Sequence, residues 1–198
     1  MTTALLLSGG MDSIAIAYWK RPSHAVTVDY GQVAAAAEIR AAGAVCDMLG
    51  IVHRIVRADL SALGSGDMAG RPGIGIAPVP EWWPYRNQML VTLAAMAMIP
   101  LGVTRLMIGT LATDGEHADG KAAFVAGLDA LLRMQEGSMA LEAPAVGLSA
   151  AELVAVSEVP LDVLAWSHSC HRAEHACGEC GGCRKHYRTM EAIGAGPY

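Results

Sequence analysis

The sequence predicts an α/β protein: a parallel five-stranded sheet with helices on both faces, followed by a cysteine-bearing C-terminal segment. Three observations carry that expectation. Short apolar runs alternate with helix-length stretches, the first run feeds directly into a glycine pair, and 53% of the 198 residues are hydrophobic against 17% charged. That composition supplies buried faces for both sides of a sheet.

The elements follow in order. Thr3 to Leu7 has the length of a buried strand and stops at Ser8-Gly9-Gly10, and Ser13 to Lys20 then reads as a helix. A second strand, Ala25 to Asp29, closes on Tyr30-Gly31. An Ala-rich helix is expected over Gln32 to Leu49, with Gly50 as its stop and Ile51 to Arg57 as the third strand. Ser61 to Pro84 is dense in Gly and Pro and has no period, which predicts a long functional loop. Asn87 is expected to cap a helix from Gln88 to Ile99, before a fourth strand at Leu106 to Thr110 and a helix from Lys121 to Glu136. Ala140 to Pro144 is a short strand or turn. Ser149 caps a helix over Ala150 to Ser157, Pro160 to Trp166 is expected to return to the sheet region, and Arg184 to Ile193 forms the last helix. The expected division is an α/β domain over 1–166 and a small tail over 167–198.

Charge and composition narrow the function. A formal charge of −5 gives no general attraction to a phosphate backbone, so no nucleic-acid partner is expected. The longest apolar segment, Met89 to Leu101, is too short to span a bilayer, and MTTALLLSGG has no basic region of the kind that opens a secretion signal. A cytoplasmic location is therefore expected. The scarcity of charge points to apolar surface hidden in an oligomeric interface. Of five cysteines, Cys170, Cys177, Cys180 and Cys183 crowd into the tail, which favours a metal site over disulfides.

The hexapeptide Ser8-Gly9-Gly10-Met11-Asp12-Ser13 carries the first chemical signal. Its glycines let the backbone turn tightly and approach a ligand. Successive amides leading into a helix N-terminus form an anion nest, with the Ser8 and Ser13 hydroxyls as further donors. Asp12 repels free phosphate, so its place here suits binding magnesium or orienting water. The spacing departs from both common Gly-rich nucleotide motifs. It is similar to the signature of the N-type ATP pyrophosphatases, which implies a fold of the adenine nucleotide alpha hydrolase type, Rossmann-like in outline.

The tail spacing C-x6-C-x2-C-x2-C supplies four thiolates in one short loop. Tetrahedral zinc is the expected occupant, with an iron–sulfur cluster as the alternative. His168, His171 and His175 are nearby rival ligands. Cys46 reads as a small buried hydrophobe.

Taken together, the chain resembles the 7-cyano-7-deazaguanine synthase family of queuosine biosynthesis over its whole length. The residues that carry the resemblance are SGGMDS at 8–13, VDYGQ at 28–32 with Glu38 beyond it, YRNQML at 85–90, IGT at 108–110 with Asp114, and SHSC through CGECGGC. The resemblance implies an enzyme using ATP, Mg2+ and Zn2+ to convert 7-carboxy-7-deazaguanine and ammonia to the nitrile through an adenylated carboxylate and an amide. By motif, Ser8, Gly9, Gly10, Met11, Asp12 and Ser13 would bind pyrophosphate, and Asp29 and Tyr30 would lie near the nucleotide. Arg86 and Asn87 would face substrate or phosphate. Asp12, Arg86 and Asp114 are the candidate catalytic residues.

The chain departs from the family pattern where cations are expected. Val33 and Ala34 follow Gln32 in place of a basic residue and a histidine, GEHADGKAAF follows the fourth strand, and LSAAELV lacks a lysine. Lys121, His117 or Arg133 is expected to compensate. Glu116 and His117 form a candidate proton relay, and Trp82 and Trp83 are either a lid or a loop anchor. Other readings of the same features are adenylation of a different small acid, modification of a tRNA nucleobase, and nucleotide binding without turnover.

Overall fold

The computed structural model describes residues 2–77, 79, 82–115 and 117–196. Five strands form one sheet in the order β3-β2-β1-β4-β5, with every pairing parallel. The strands are β1 (Thr3–Leu6), β2 (His24–Asp29), β3 (Val52–Arg57), β4 (Arg105–Met107) and β5 (Ala140–Glu142). At the centre, Leu5 lies in register with Ala25 on one side and Met107 on the other.

Alternation along the strands builds two cores. Leu5, Leu7, Ala25 and Met107 face one side, where they pack with Ile14 and Ile16 of α1 (Met11–Lys20), Val45 of α2 (Ala35–Leu49) and Leu153 of α5 (Ala150–Ser157). That core also takes in Leu164 of α6 (Leu161–Leu164) and Met190 of α7 (Gly181–Ala192). Ala4, Val26, Leu106 and Ile108 face the opposite side, against α3 (Arg86–Met98) and α4 (Ala122–Arg133). This period-two division of apolar residues between two helical layers is the expected α/β architecture.

Several boundaries differ from expectation for local reasons. Helix α1 begins at Met11, two residues before Ser13. Helix α2 begins at Ala35 because Gln32 folds back on the strand end, its Oε1 accepting from the Tyr30 amide at 2.9 Å. Asn87 lies inside α3, not at its cap; the N-cap is Tyr85, in a left-handed conformation at φ 55°, and Asn87 Oδ1 accepts from Arg86 Nε at 3.3 Å. Pro160 to Trp166 does not rejoin the sheet. The Pro160 carbonyl accepts from the Val163 and Leu164 amides, and Asp162 Oδ1 accepts from Val163 N at 2.9 Å, which turns the segment into α6. Helix α7 starts at Gly181, earlier than expected, because Cys180 Sγ caps it by accepting from Cys183 N. Ser149 caps α5 as expected, in a reciprocal box with Glu152.

The strand order reverses at β1, whose two neighbours are β2 and β4. Chains leaving β1 and β4 run to opposite helical layers, so a crevice opens beyond their carboxyl ends, the usual ligand position in open α/β sheets.

Leu106 is fully buried at the centre of this arrangement. Leu106→Ala should lower unfolding free energy by about 2–5 kcal/mol, measured by urea titration. A loss well below that would mean the β4 contacts relax to fill the space.

Candidate active site

Gly9 sets the loop beyond β1. Its φ is +76°, and a Cβ at this position would sit 2.5 Å from the Glu38 carbonyl oxygen, so the loop packs directly on α2. The Gly9 carbonyl accepts from His168 N at 2.8 Å, which ties the loop to the segment entering the cysteine cluster. Gly10 is the N-cap of α1 and has an extended backbone and no side-chain cap. The first-turn amides of α1 are thus left without a capping side chain, as an anion site needs. Ser13 Oγ donates to the Gly10 carbonyl at 2.9 Å and lies 3.2 Å from Ser8 Oγ.

A cavity of about 440 Å³ opens in the crevice. Ser8, Gly10, Met11, Asp12 and Ser13 form one wall, and the turn from Gly109 to Asp114 forms another. The third wall is the cysteine segment and the start of α7. There Lys185 Nζ donates to Asp12 Oδ2 at 2.8 Å and to Asp114 Oδ1 at 2.9 Å. Asp114 Oδ2 is engaged separately by the Leu111 amide at 2.9 Å. Burial raises the Asp12 pKa above its ordinary value against the opposing pull of Lys185, and Asp114 adds to the rise. Burial acts to lower the Lys185 pKa, but the two carboxylates outweigh it and hold the ammonium above its usual value.

Tyr30, Glu38, Met68, Arg86 and Asn87 also line the cavity. Gln32 organises this group: its Nε2 donates to the Val28 carbonyl at 3.1 Å and to Glu38 Oε2 at 2.7 Å. Burial pushes the Glu38 carboxyl up to about 7, against the Gln32 hydrogen bond and the nearby Arg86 charge. Burial likewise raises the Tyr30 phenol. Trp83 packs edge-on against Tyr30, with ring centroids 4.9 Å apart, and is 3% exposed. Neither Trp83 nor Trp82 is among the cavity-lining residues, so Trp83 anchors the preceding loop instead of covering the pocket.

The four tail cysteines converge, with all Sγ atoms within 4.8 Å of one another. Cys177 and Cys183 are 3.9 Å apart, and Cys170 and Cys180 are 4.0 Å apart. Four thiolates at about 2.3 Å from one tetrahedral ion stand about 3.8 Å from each other, so the spacing fits a single metal. Amides of Glu179 and Cys180 hold the Cys177 thiol down to about 6, whereas burial pushes Cys183 up to about 12. A cation at the centre favours the thiolate of both. The close turn depends on Gly182, where a Cβ would fall 1.8 Å from the Ser169 carbonyl oxygen. His168 Nε2 and His171 Nδ1 are buried without a hydrogen-bond partner among the described residues, and burial lowers His171 to about 4.

Residues 2–194 match the family model described as queuosine biosynthesis protein QueC. The chain belongs to the QueC family. Its relatives include a 7-cyano-7-deazaguanine synthase of Desulforudis audaxviator, 31% identical with 98% of each chain covered. The same name is carried by a Stenotrophomonas maltophilia protein, 34% identical over 91% of this chain and 90% of its own. Among solved structures, the U34-tRNA thiolase NcsA of Methanococcus maripaludis, determined with its [4Fe-4S] cluster, superposes with a TM-score of 0.52. It is 17% identical, and the match covers 97% of this chain and 63% of the thiolase, a likeness that concerns the fold alone.

Within this QueC-family chain, the cavity brings together Ser8, Gly10, Met11, Asp12, Ser13, Tyr30, Arg86, Asn87 and Asp114 of the expected site. Gly9 and Asp29 stand outside its lining. Gly9 underlies the loop, and Asp29 caps the Gly31 amide at 3.3 Å and faces Arg57 at 3.8 Å. Of the three residues expected to compensate for missing family residues, His117 lines the cavity. Lys121 and Arg133 do not; Arg133 pairs with Asp129 on the surface of α4. The cation at the two carboxylates is Lys185, which the sequence reading did not select. Its signal was slight: a lysine two residues beyond Cys183, and 173 positions from Asp12. Glu116, the other half of the expected relay, lies outside the described residues. No described helix is long and apolar enough to cross a membrane.

Two measurements test this geometry. Glu38 ordinarily titrates at 4.5 but at about 7 in the fold, so the folded state keeps its proton longer. The stability contribution from this shift is complete below the lower value and is lost as pH rises through the upper one. The difference in unfolding free energy between wild type and Glu38→Gln, measured in urea, should therefore move in the variant's favour across that window. A constant difference would exclude the shift. Gly182→Ala should sharply reduce metal retained after purification, as measured by plasma mass spectrometry, and full retention would show that the Ser169 turn can yield.

Proposed function

We propose that this chain uses ATP and ammonia to convert 7-carboxy-7-deazaguanine to 7-cyano-7-deazaguanine, by way of an adenylated carboxylate and an amide. The reading is carried by one observation: the uncapped amides of the Ser8–Ser13 loop open into the same crevice cavity as Asp12, Asp114, Tyr30, Arg86 and Asn87. Family membership and the synthase name shared by its relatives support it.

The chemistry follows from the difficulty of expelling oxide or hydroxide from a carboxylate. A carboxylate oxygen attacks the α-phosphorus of ATP and pyrophosphate leaves. Ammonia then attacks the acyl carbon, AMP departs and a proton is released, leaving the amide. The amide oxygen attacks a second ATP, again releasing pyrophosphate. Loss of AMP and the remaining N–H protons yields the nitrile.

In this scheme the loop amides and the hydroxyls of Ser8 and Ser13 hold the departing pyrophosphate, with Gly9 bracing the loop from below. Asp12 and Asp114 flank the phosphate end and suit a magnesium ion, which supplies charge neutralisation there. Arg86 and Asn87 orient the acid, and Tyr30 positions the nucleotide side of the crevice, with Asp29 bracing the turn behind it through the Gly31 amide. The protein wall excludes water that would hydrolyse the acyl adenylate.

The tail over 167–198 is proposed as a zinc unit appended to the 1–166 domain. The four-thiolate spacing fits one ion, and four protein ligands leave no position open for substrate, so the metal's part is structural. Assembly as a cytoplasmic homodimer completes the proposal. Edge strand β3 supports it by leaving Val52 and Ile55 exposed.

Purified protein with Mg2+, ATP, ammonium and the acid should give AMP together with amide or nitrile by mass spectrometry. Folded protein that converts none of the acid would point to a different carboxylate. Asp12→Asn should lower AMP formation by at least about 100-fold with unchanged circular dichroism, and wild-type rates would remove Asp12 from the mechanism. Metal analysis should find about one zinc per chain; an iron chromophore would replace that assignment.

A further inference from the structure

We infer that Lys185 is a resident counter-ion that keeps the divalent-cation position closed until the phosphates of a nucleotide draw its ammonium away. The inference rests on the proposed use of ATP and adds the order in which metal and nucleotide occupy the site.

Asp12 lies in the first turn of α1, after β1, and Asp114 on the turn beyond β4, and one ammonium joins them at 2.8 and 2.9 Å. Asp114 turns Oδ1 to the ammonium, while Oδ2 is engaged by the Leu111 amide. A divalent ion bridging this pair therefore competes with Lys185 for Asp114 Oδ1 and sits against the ammonium that already holds Asp12 Oδ2. Magnesium binds oxygen at about 2.0–2.1 Å, well inside the ammonium contacts, and two cations cannot share these oxygens without strong repulsion. In the nucleotide-free chain the pair is already neutralised to a net charge of about −1, so its attraction for a free divalent ion is weak.

A bound triphosphate changes the competition. Lys185 projects from the first half of α7 into the same cavity as Ser8, Gly10 and Ser13. Its flexible four-carbon stem lets the ammonium move from carboxylate to phosphate while the helix stays in place. Incoming phosphates thus attract the ammonium and supply new oxygens to the metal, and the carboxylates are released to complete its shell. Metal and nucleotide then favour each other by the same factor, as linkage requires. The lysine acts twice, as a plug in the empty site and as a phosphate cation in the filled one.

The test is manganese binding by electron spin resonance to the 198-residue, zinc-loaded chain without nucleotide. Lys185→Met should bind Mn2+ at least about tenfold more tightly than wild type. Lys185→Arg, which keeps the charge, should stay near wild type. Adding Asp12→Asn to Lys185→Met should abolish the gained affinity, placing it at the carboxylate pair. With α,β-methylene-ATP present, wild type should gain Mn2+ affinity far more than Lys185→Met does. If Lys185→Met does not fold by circular dichroism, Lys185→Gln replaces it with the same expectations. Equal Mn2+ affinity in folded wild type and variant, with normal analogue binding, overturns the role of Lys185 alone. Failure of wild type to bind the analogue overturns the ATP reading itself.

Discussion

The site depends on one constraint, the reversal of strand order at β1. Because β2 and β4 flank β1 with parallel polarity, the chain leaves the centre of the sheet toward opposite helical layers, and nothing in the sheet fills the space between. The Ser8–Ser13 loop can then bring uncapped amides to that space only because Gly9 packs against the backbone of α2. Topology sets the location, and a missing Cβ sets the depth.

Much of this was legible in sequence because the signals were local. The glycine pair after a strand, the Ser149–Glu152 cap and the alternating apolar strands each reveal themselves within a few residues. Where local signals competed, the reading failed. Pro160 to Trp166 has the apolar content of a strand, but Asp162 and the Pro160 carbonyl satisfy the first amides of a helical turn. Cys180 looked like a metal ligand only, yet its sulfur also caps α7 and moves that helix three residues earlier. At α3, Arg86 draws Asn87 into a side-chain contact and Tyr85 takes the cap through a left-handed backbone.

The pocket was partly legible for a different reason. Its Ser8–Ser13 loop is contiguous, whereas its electrostatic balance is assembled from residues far apart in the chain. Asp12, Asp114 and Lys185 meet across three elements, and no spacing rule links them. Lys185 brings positive charge to the carboxylates from the C-terminal helix.

The cysteine segment also has a mechanical place in the molecule. Arg172 grips Asp67 through two contacts at 2.9 Å, joining this segment to the Gly/Pro-rich connection, while Arg40 meets Glu174 at 3.0 Å from α2. His168, on its approach, holds the Gly9 carbonyl. One short segment thus touches the loop at the bottom of the crevice, the helix beneath that loop and the long connection at the side. A change of fold in the cysteine segment would therefore be felt as a change in crevice shape even where every cavity-lining side chain is kept.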